Sequence, residues 1–289
     1  MRHMGDVLAG IHATWEFETD AVLIRFERGI RAPKLFQALR ERRVPHEALA
    51  SVTLSPGKRG TVVLHAVPRP GADPLMAVAD GQLKEGCDPY RLVLPADRET
   101  LAEYYADELR ACLGPGRDEP AERFLVAAPK PPLQFKAYDG KASFDGQNVS
   151  FRWFWTGASS AKWKAGDQSF AVSALSGVEW RSPDVLDGCL RLVRRDGGPG
   201  PVPPDQDPAA VLFGLGYGPV HESLPFAASV LQAVRDADRA APVPVPVGAG
   251  RRDPADIAER IRHLGDLHRA GLVTDEEFTA KKAELLAEL

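Results

Sequence analysis

The chain has 289 residues, 44 % hydrophobic and 26 % charged, proportions of a folded globular protein rather than a disordered one. A formal net charge of −4 supplies no global basic field of the kind nucleic acid requires. No window approaches the ~18 apolar residues of a spanning helix, and the first residues are too polar for a signal peptide; a cytoplasmic protein is expected, with any membrane contact peripheral.

This length holds two ordinary domains and an appendage. Its 25 prolines and 26 glycines favour short strands and many turns over long helices. Cys87, Cys112 and Cys189 have neither metal-ligand nor redox spacing, which suits a reducing compartment.

Residues 1–9 read as a loose terminus. Trp15 and Phe17, then Val22, Ile24 and Phe26, alternate as the strands of a hairpin with one buried face. Leu35, Phe36 and Leu39 have one-face helical spacing amid Arg31, Lys34, Arg40, Arg42 and Arg43, which gives a short basic amphipathic helix. Strands are expected at 49–54, 61–67 and 90–94. A helix follows at 100–113, with Leu101, Tyr104, Tyr105, Leu109 and Leu113 as its apolar face and a capping box of Thr100 and Glu103.

Residues 114–132 begin and end in Pro and Gly and read as a linker, with 124–126 as a docking strand. The pattern then repeats. Phe144 is followed five places on by Val149, then by Phe151, Arg152 and Trp153, as Phe17 is by Val22, Ile24, Arg25 and Phe26. A loop is expected at 156–168. Ala174-Leu175-x-x-Val178 matches Ala48-Leu49-x-x-Val52, and Gly188 to Leu192 is spaced like Gly60 to Leu64. A strand at 211–215 and a helix at 223–234, with Pro225 in its first turn, complete the copy.

The fold class is therefore α+β, mostly β. Two tandem units, 10–113 and 133–238, each form a small bent antiparallel sheet or barrel capped by a C-terminal helix. A stiff Pro/Val-rich spacer spans 239–254. In the tail, 255–289, Ile257, Ile261 and Leu264 share one helical face and Gly271 ends the helix. Thr274 with Glu277 forms a capping box, and Val273 with Phe278 a hydrophobic staple. Phe278, Leu285 and Leu289 supply the apolar face of this second helix. A hairpin of about 35 residues cannot bury enough surface to stand alone. These residues therefore need a cover, and oligomerisation or a protein partner is expected to provide it.

The tail, with Leu264, Leu267, Gly271, Val273, Thr274, Glu276-Glu277-Phe278 and Leu285-Leu286, resembles the short C-terminal domain, SHOCT. The duplicated unit resembles the tandem domain of unknown function 4429. It does so through the aromatic hairpin, the Gly and Lys that follow (Gly29 and Lys34; Gly157 and Lys162), the Ala-Leu-x-x-Val strand and the Gly-led strand after it. That family is similar to bacterial pleckstrin-homology-like (PH-like) domains. The resemblance implies the same fold and carries no catalytic residues or cofactor; for the tail it implies oligomerisation or partner attachment.

No nucleophile elbow, phosphate-cradling loop or zinc-ligand helix is present, and the histidines are scattered. No catalytic residue, metal or cofactor is expected. The basic residues Arg31, Lys34, Arg40, Arg42 and Arg43 offer an anionic ligand charge-assisted hydrogen bonds, or else form a solvated helix face. Trp155, Lys162, Trp163 and Lys164 offer an aromatic and cationic contact surface between domains or subunits, or else divide between core and neighbour. The leading expectation is a non-enzymatic binding or scaffold protein. A peripheral membrane or anionic-ligand binder using 31–43 stands second, and a hydrolase with a cleft between the repeats third.

Overall fold

A computed structural model describes residues 6–197, 200, 202–240 and 278–279. Residues 1–239 form one compact unit and 240–289 a second. The sequence repeat is a repeat of sheets. In the first copy β1 (Asp6–Ala9), β2 (Ala13–Phe17) and β3 (Ala21–Phe26) run antiparallel. Helix α1 (Lys34–Leu39) leads into β4 (Glu41–Pro45), which closes a four-stranded sheet beside β3. β5 (Leu49–Pro56), β6 (Thr61–Pro68) and β7 (Arg91–Pro95) form a three-stranded sheet, with α2 (Pro74–Ala79) between the last two, and α3 (Glu99–Ala111) ends the copy.

The second copy has the same order. Its four-stranded sheet comprises β8 (Leu133–Lys136), β9 (Gly140–Phe144), β10 (Asn148–Trp153) and β11 (Gln168–Ala171), with α4 (Ser160–Ala165) before β11. Its three-stranded sheet comprises β12 (Leu175–Arg181), β13 (Cys189–Arg194) and β14 (Ala210–Leu212), followed by α5 (Val220–Ala240). No barrel closes. One corner is stitched alike in both copies: Ile11 N–H donates to Val93 O at 2.7 Å, and Tyr138 N–H to Leu212 O at 2.8 Å.

The alternation predicted for the hairpins is present. Trp15, Ile24 and Arg42 stand side by side across β2, β3 and β4 and all face inward, while Arg25 and Arg43 face out. In α1 the buried residues are Leu35, Phe36 and Leu39, as their spacing predicts. In the second copy Phe135, Phe144 and Phe226 pack edge to face. Burying each such ring contributes about 1.5–3 kcal/mol.

Several expectations are corrected. β1 forms within the residues read as a loose terminus, and α4 within the expected loop. Arg42 and Arg43 lie on a strand, not on the basic helix, so the segment 31–43 has no single face. Helix α3 starts at Glu99 with Arg98 at its N-cap, so Thr100 lies inside the first turn and makes no capping box. The helix turns its smallest residues, Ala102 and Ala106, to the sheet with Tyr105 and Leu109, which leaves Leu101 and Tyr104 exposed. Helix α5 starts at Val220, which puts Pro225 beyond the first turn. Val178 faces Leu192 as Val52 faces Ala66, so Leu192 is the counterpart of Ala66 and not of Leu64. Each pair is equally spaced along its copy, but Gly188 stands later after Val178 than Gly60 does after Val52, and that glycine displaces the sequence match.

The repeats are joined by α2, an element without a counterpart among the described residues of the second copy. Just beyond it, the Gln82 side chain donates to Trp180 O at 3.1 Å and accepts from Ser182 N–H at 2.9 Å. Lys84 pairs with Asp184 at 3.0 Å. The linker is pinned rather than free, and it contains no strand. Val126 is buried, the N–H groups of Leu125 and Val126 donate to Ala72 O, and the Arg69 guanidinium donates to Glu119 O. Its far end is held where Ala128 N–H meets the Gln232 side chain at 2.7 Å.

Candidate functional site

Each copy carries one buried ionic hub. In the first, Arg42 donates to Asp73 Oδ1 at 2.7 Å and the Tyr90 hydroxyl to Asp73 Oδ2 at 2.8 Å, while Asp73 also caps α2 through Leu75 N–H. In the second, Lys162 Nζ donates to Asp139 Oδ2 at 2.5 Å and to Ala210 O at 2.8 Å. Asp139 Oδ1 accepts Leu212 N–H at 2.9 Å, and its backbone oxygen accepts Phe154 N–H at 2.9 Å. Burial pushes the Lys162 ammonium below the ordinary lysine value, against the pull of Asp139. Asp139 thus ties the β8–β9 turn to β14 and α4 through its carboxylate and to the loop after β10 through its backbone oxygen.

The second copy's hub stands where the first copy has an apolar contact. Phe36 and Lys162 are each the third residue of their helices. Phe36 stacks on Phe26 at 4.6 Å, and the Lys162 ammonium lies 5.0 Å from the Trp153 ring. Lys34 and Lys162, matched in sequence, therefore sit at different places in the fold.

With Lys162 drawn inward, its helix neighbour Trp163 points out. Trp163 and Trp155 meet edge to face at 5.0 Å, and Trp155 is 77 % exposed. Both stand open to solvent within residues 6–240. Gly157 lets their loop lie against the β8–β9 turn, because a Cβ there would come within 2.3 Å of Tyr138 O. The exposed Tyr138 ring meets Tyr217 at 6.2 Å. Tyr217 lines a groove of about 430 Å³ between the 182–188 and 213–219 loops, together with Val185, Leu186 and Leu215. Leu186 and Leu215 are 82 % and 102 % exposed. Exposed apolar side chains thus gather in the Trp155–Trp163 pair and in the Tyr138–Tyr217 pair with Leu215 and Leu186, rather than standing singly.

The first copy presents its own tip after β3. Ile30 stands fully exposed between Arg28 and Arg31, with Lys34 and Arg40 also exposed. Among the described residues these four cations form no ion pair, and neither does Lys164 beside Trp163. Lys34 lies near the start of α5: with burial, the main cause, it depresses the His221 imidazole, while Glu222 acts in the opposite sense.

Of the sequence-predicted residues, Arg31, Lys34, Arg40, Trp155, Trp163 and Lys164 are at the surface and accessible. Arg43 is exposed but held by Glu18 at 2.9 Å and Asp20 at 2.6 Å. Arg42 and Lys162 are corrections: both are buried and paired, because each can reach a carboxylate in the interior, and neither can meet a surface ligand. Ile257, Ile261, Leu264, Leu285 and Leu289 lie outside the described residues; Phe278 is helical and half-buried. Sequence reasoning missed Tyr138, Val185, Leu186, Leu215, Tyr217 and Ile30. The available signal was Leu215 between Gly214 and Gly216, a turn tip that was read as the end of a strand.

Among the described residues no group of histidine, cysteine and acidic side chains could hold a metal, and no helix is long and apolar enough to cross a membrane. No curated protein matches the chain. A family model described as the short C-terminal domain, SHOCT, matches residues 259–286. A second, described as domain of unknown function (DUF4429), matches residues 15–110 and again 142–231, the two copies of the sheet pair. With more than half of its length matched in tandem, the chain belongs to the DUF4429 family.

Proposed function

We infer that this chain is a non-enzymatic binding protein of the cytoplasm, in which two PH-like modules present a recognition face and the C-terminal segment drives assembly. What supports the PH-like reading is the order of elements in each copy: a four-stranded sheet, a three-stranded sheet and a closing helix. The observation that carries recognition is the set of exposed apolar side chains from Trp163 to Leu186, its tryptophan pair turned outward beside the buried Lys162–Asp139 pair. A solvent-facing surface of this kind is stable in isolation only at the cost of hydrating it, and proteins keep such surfaces for contacts.

A cleft of about 330 Å³ lies between α2, the linker and α5. It is lined by Glu122, Arg123, Arg235, Asp238 and Arg239 with no histidine or cysteine, and its Asp238 is already paired with Arg195. Assembly rests on the apolar helix faces that the sequence of 255–289 predicts. Light scattering on the full chain and on a chain ending at Gly250 tests it: the full chain should be a multimer and the shortened one smaller, and equal subunit numbers would overturn the assembly role.

A further inference from the structure

We propose that the cleft between α2, the linker and α5 binds a small organic carboxylate, its charged group on the arginines of the rim and its apolar body against Phe124 and Leu231. The cleft shares no residue with the exposed tryptophan and tyrosine pairs, so the site goes beyond the recognition reading and stands or falls apart from it.

The walls are fixed by bonds within the chain. Gly71, before α2, has a φ of +76°, and the linker lies so near that a Cβ there would come within 3.0 Å of Ala121 O. Ala121 N–H donates to Pro70 O at 2.8 Å. Across the cleft, the Arg239 guanidinium of α5 donates to Glu122 O at 2.5 Å. The enclosed volume, about 330 Å³, falls within the ~300–1,000 Å³ of small-ligand pockets, and its place between two repeats is one such pockets favour.

The lining is apolar inside and cationic at the rim. Ala77, Ala121, Phe124 and Leu231 supply the apolar part. Ala121 and Leu231 pack against the hydrophobic core; among the described residues Phe124 is outside that cluster, and its half-buried ring lines the cleft instead. Apolar surface left in this position gains from being covered. Leu231, Arg235 and Arg239 recur every four residues and so share one face of α5, and Arg123 joins them from the linker. Like charges one helical turn apart repel. The macrodipole favours a cation only in the last turn, which holds Arg239 and not Arg235.

The rim acids decide which anion fits. Asp238 is paired with Arg195, which leaves the exposed Glu122 carboxylate against the three arginines. Among the described residues Arg123 and Arg235 have no carboxylate partner, and Arg239 uses one N–H on a backbone oxygen. A singly charged carboxylate is repelled less by Glu122 and Asp238 than a doubly charged phosphate. The planar guanidinium fork also matches a carboxylate with two parallel hydrogen bonds.

The test is calorimetric titration and amide NMR of the full chain with octanoate. Acetate carries the charge without the body, octanol the body without the charge, and inorganic phosphate the competing anion. Octanoate is expected to bind saturably and to shift the amides of Ala77, Ala121 and Leu231. Acetate and phosphate should leave them in place, and octanol should bind at least roughly tenfold more weakly, for want of a charge-assisted hydrogen bond. R235A should weaken octanoate binding roughly tenfold or more. R235K, which keeps the charge but not the fork, should fall between R235A and the parent. F124A should weaken it roughly tenfold. R59A, a cation outside the cleft, should change nothing. Thermal unfolding of R235A should match the parent, since that side chain is exposed. No saturable octanoate binding, or binding that R235A leaves undiminished, overturns the site. Phosphate bound as tightly as octanoate overturns the carboxylate assignment.

Discussion

The Lys162 ammonium lies 2.5 Å from the Asp139 carboxylate, and both side chains are withdrawn from water. Desolvating two charges cancels much of their attraction, so the pair is weak evidence of stability but strong evidence of placement. It fixes α4 against the β8–β9 turn and so turns Trp163 outward beside Trp155. D139A, which leaves an uncompensated buried ammonium, should cost about 3–5 kcal/mol, while D139N/K162M should recover most of that loss. Urea unfolding of the three proteins checks this; a double variant no more stable than D139A would contradict it.

Arg42 and Arg40 are two residues apart in sequence but opposite in role. Arg42 is bound to Asp73 in the core, and Arg40 is exposed at the end of α1. R42M should destabilise the first copy by about 3–5 kcal/mol by leaving the Asp73 carboxylate unpaired. R40A should leave the melting temperature unchanged. Thermal unfolding separates the two, and equal effects on stability would show the hub to be misplaced.

Gln82 spans the junction between the copies with both ends of its amide. Q82A removes two hydrogen bonds and should cost about 2 kcal/mol. Hydrogen exchange at the Ser182 amide should quicken in the variant while exchange within β2 and β3 stays constant.

Burial, reinforced by Lys34 and opposed by Glu222, holds the His221 pKa below its ordinary value. At mildly acidic pH the unfolded chain therefore binds a proton that the folded chain refuses. Stability falls as pH drops from the ordinary histidine pKa through the depressed one, and the contribution is fully present above that window. K34M should raise the His221 pKa, read by NMR titration, and H221Q should flatten the stability slope over the same window. An unmoved His221 in K34M would separate the first copy's loop from the start of α5.

The hairpins were legible in sequence because a half-buried strand must alternate, as Trp15, Phe17, Val22, Ile24 and Phe26 do. Helices α2 and α4 were not, because α2 is apolar on every side and α4 turns a lysine inward, so neither shows an apolar stripe against a polar face. The fate of a charge depends on a partner distant in the chain: Arg42 finds Asp73 31 residues away and Lys162 finds Asp139 23 away. That is why two cations assigned to a surface lie in the core. The exposed apolar set was half legible. Trp155 and Trp163 stand out in the sequence, but Tyr138, Leu186 and Leu215 gather only when the β8–β9, β12–β13 and β14–α5 loops converge.

Recognition by the exposed apolar side chains and assembly by the tail should be separable. Light scattering on the full chain, on the chain ending at Gly250 and on full-length W155A/W163A tests this most directly. The predicted result is a multimeric full chain, a reduced oligomeric state on truncation, and a W155A/W163A protein with the full-length mass. A truncated chain of undiminished subunit number, or a W155A/W163A protein of reduced mass, would contradict it.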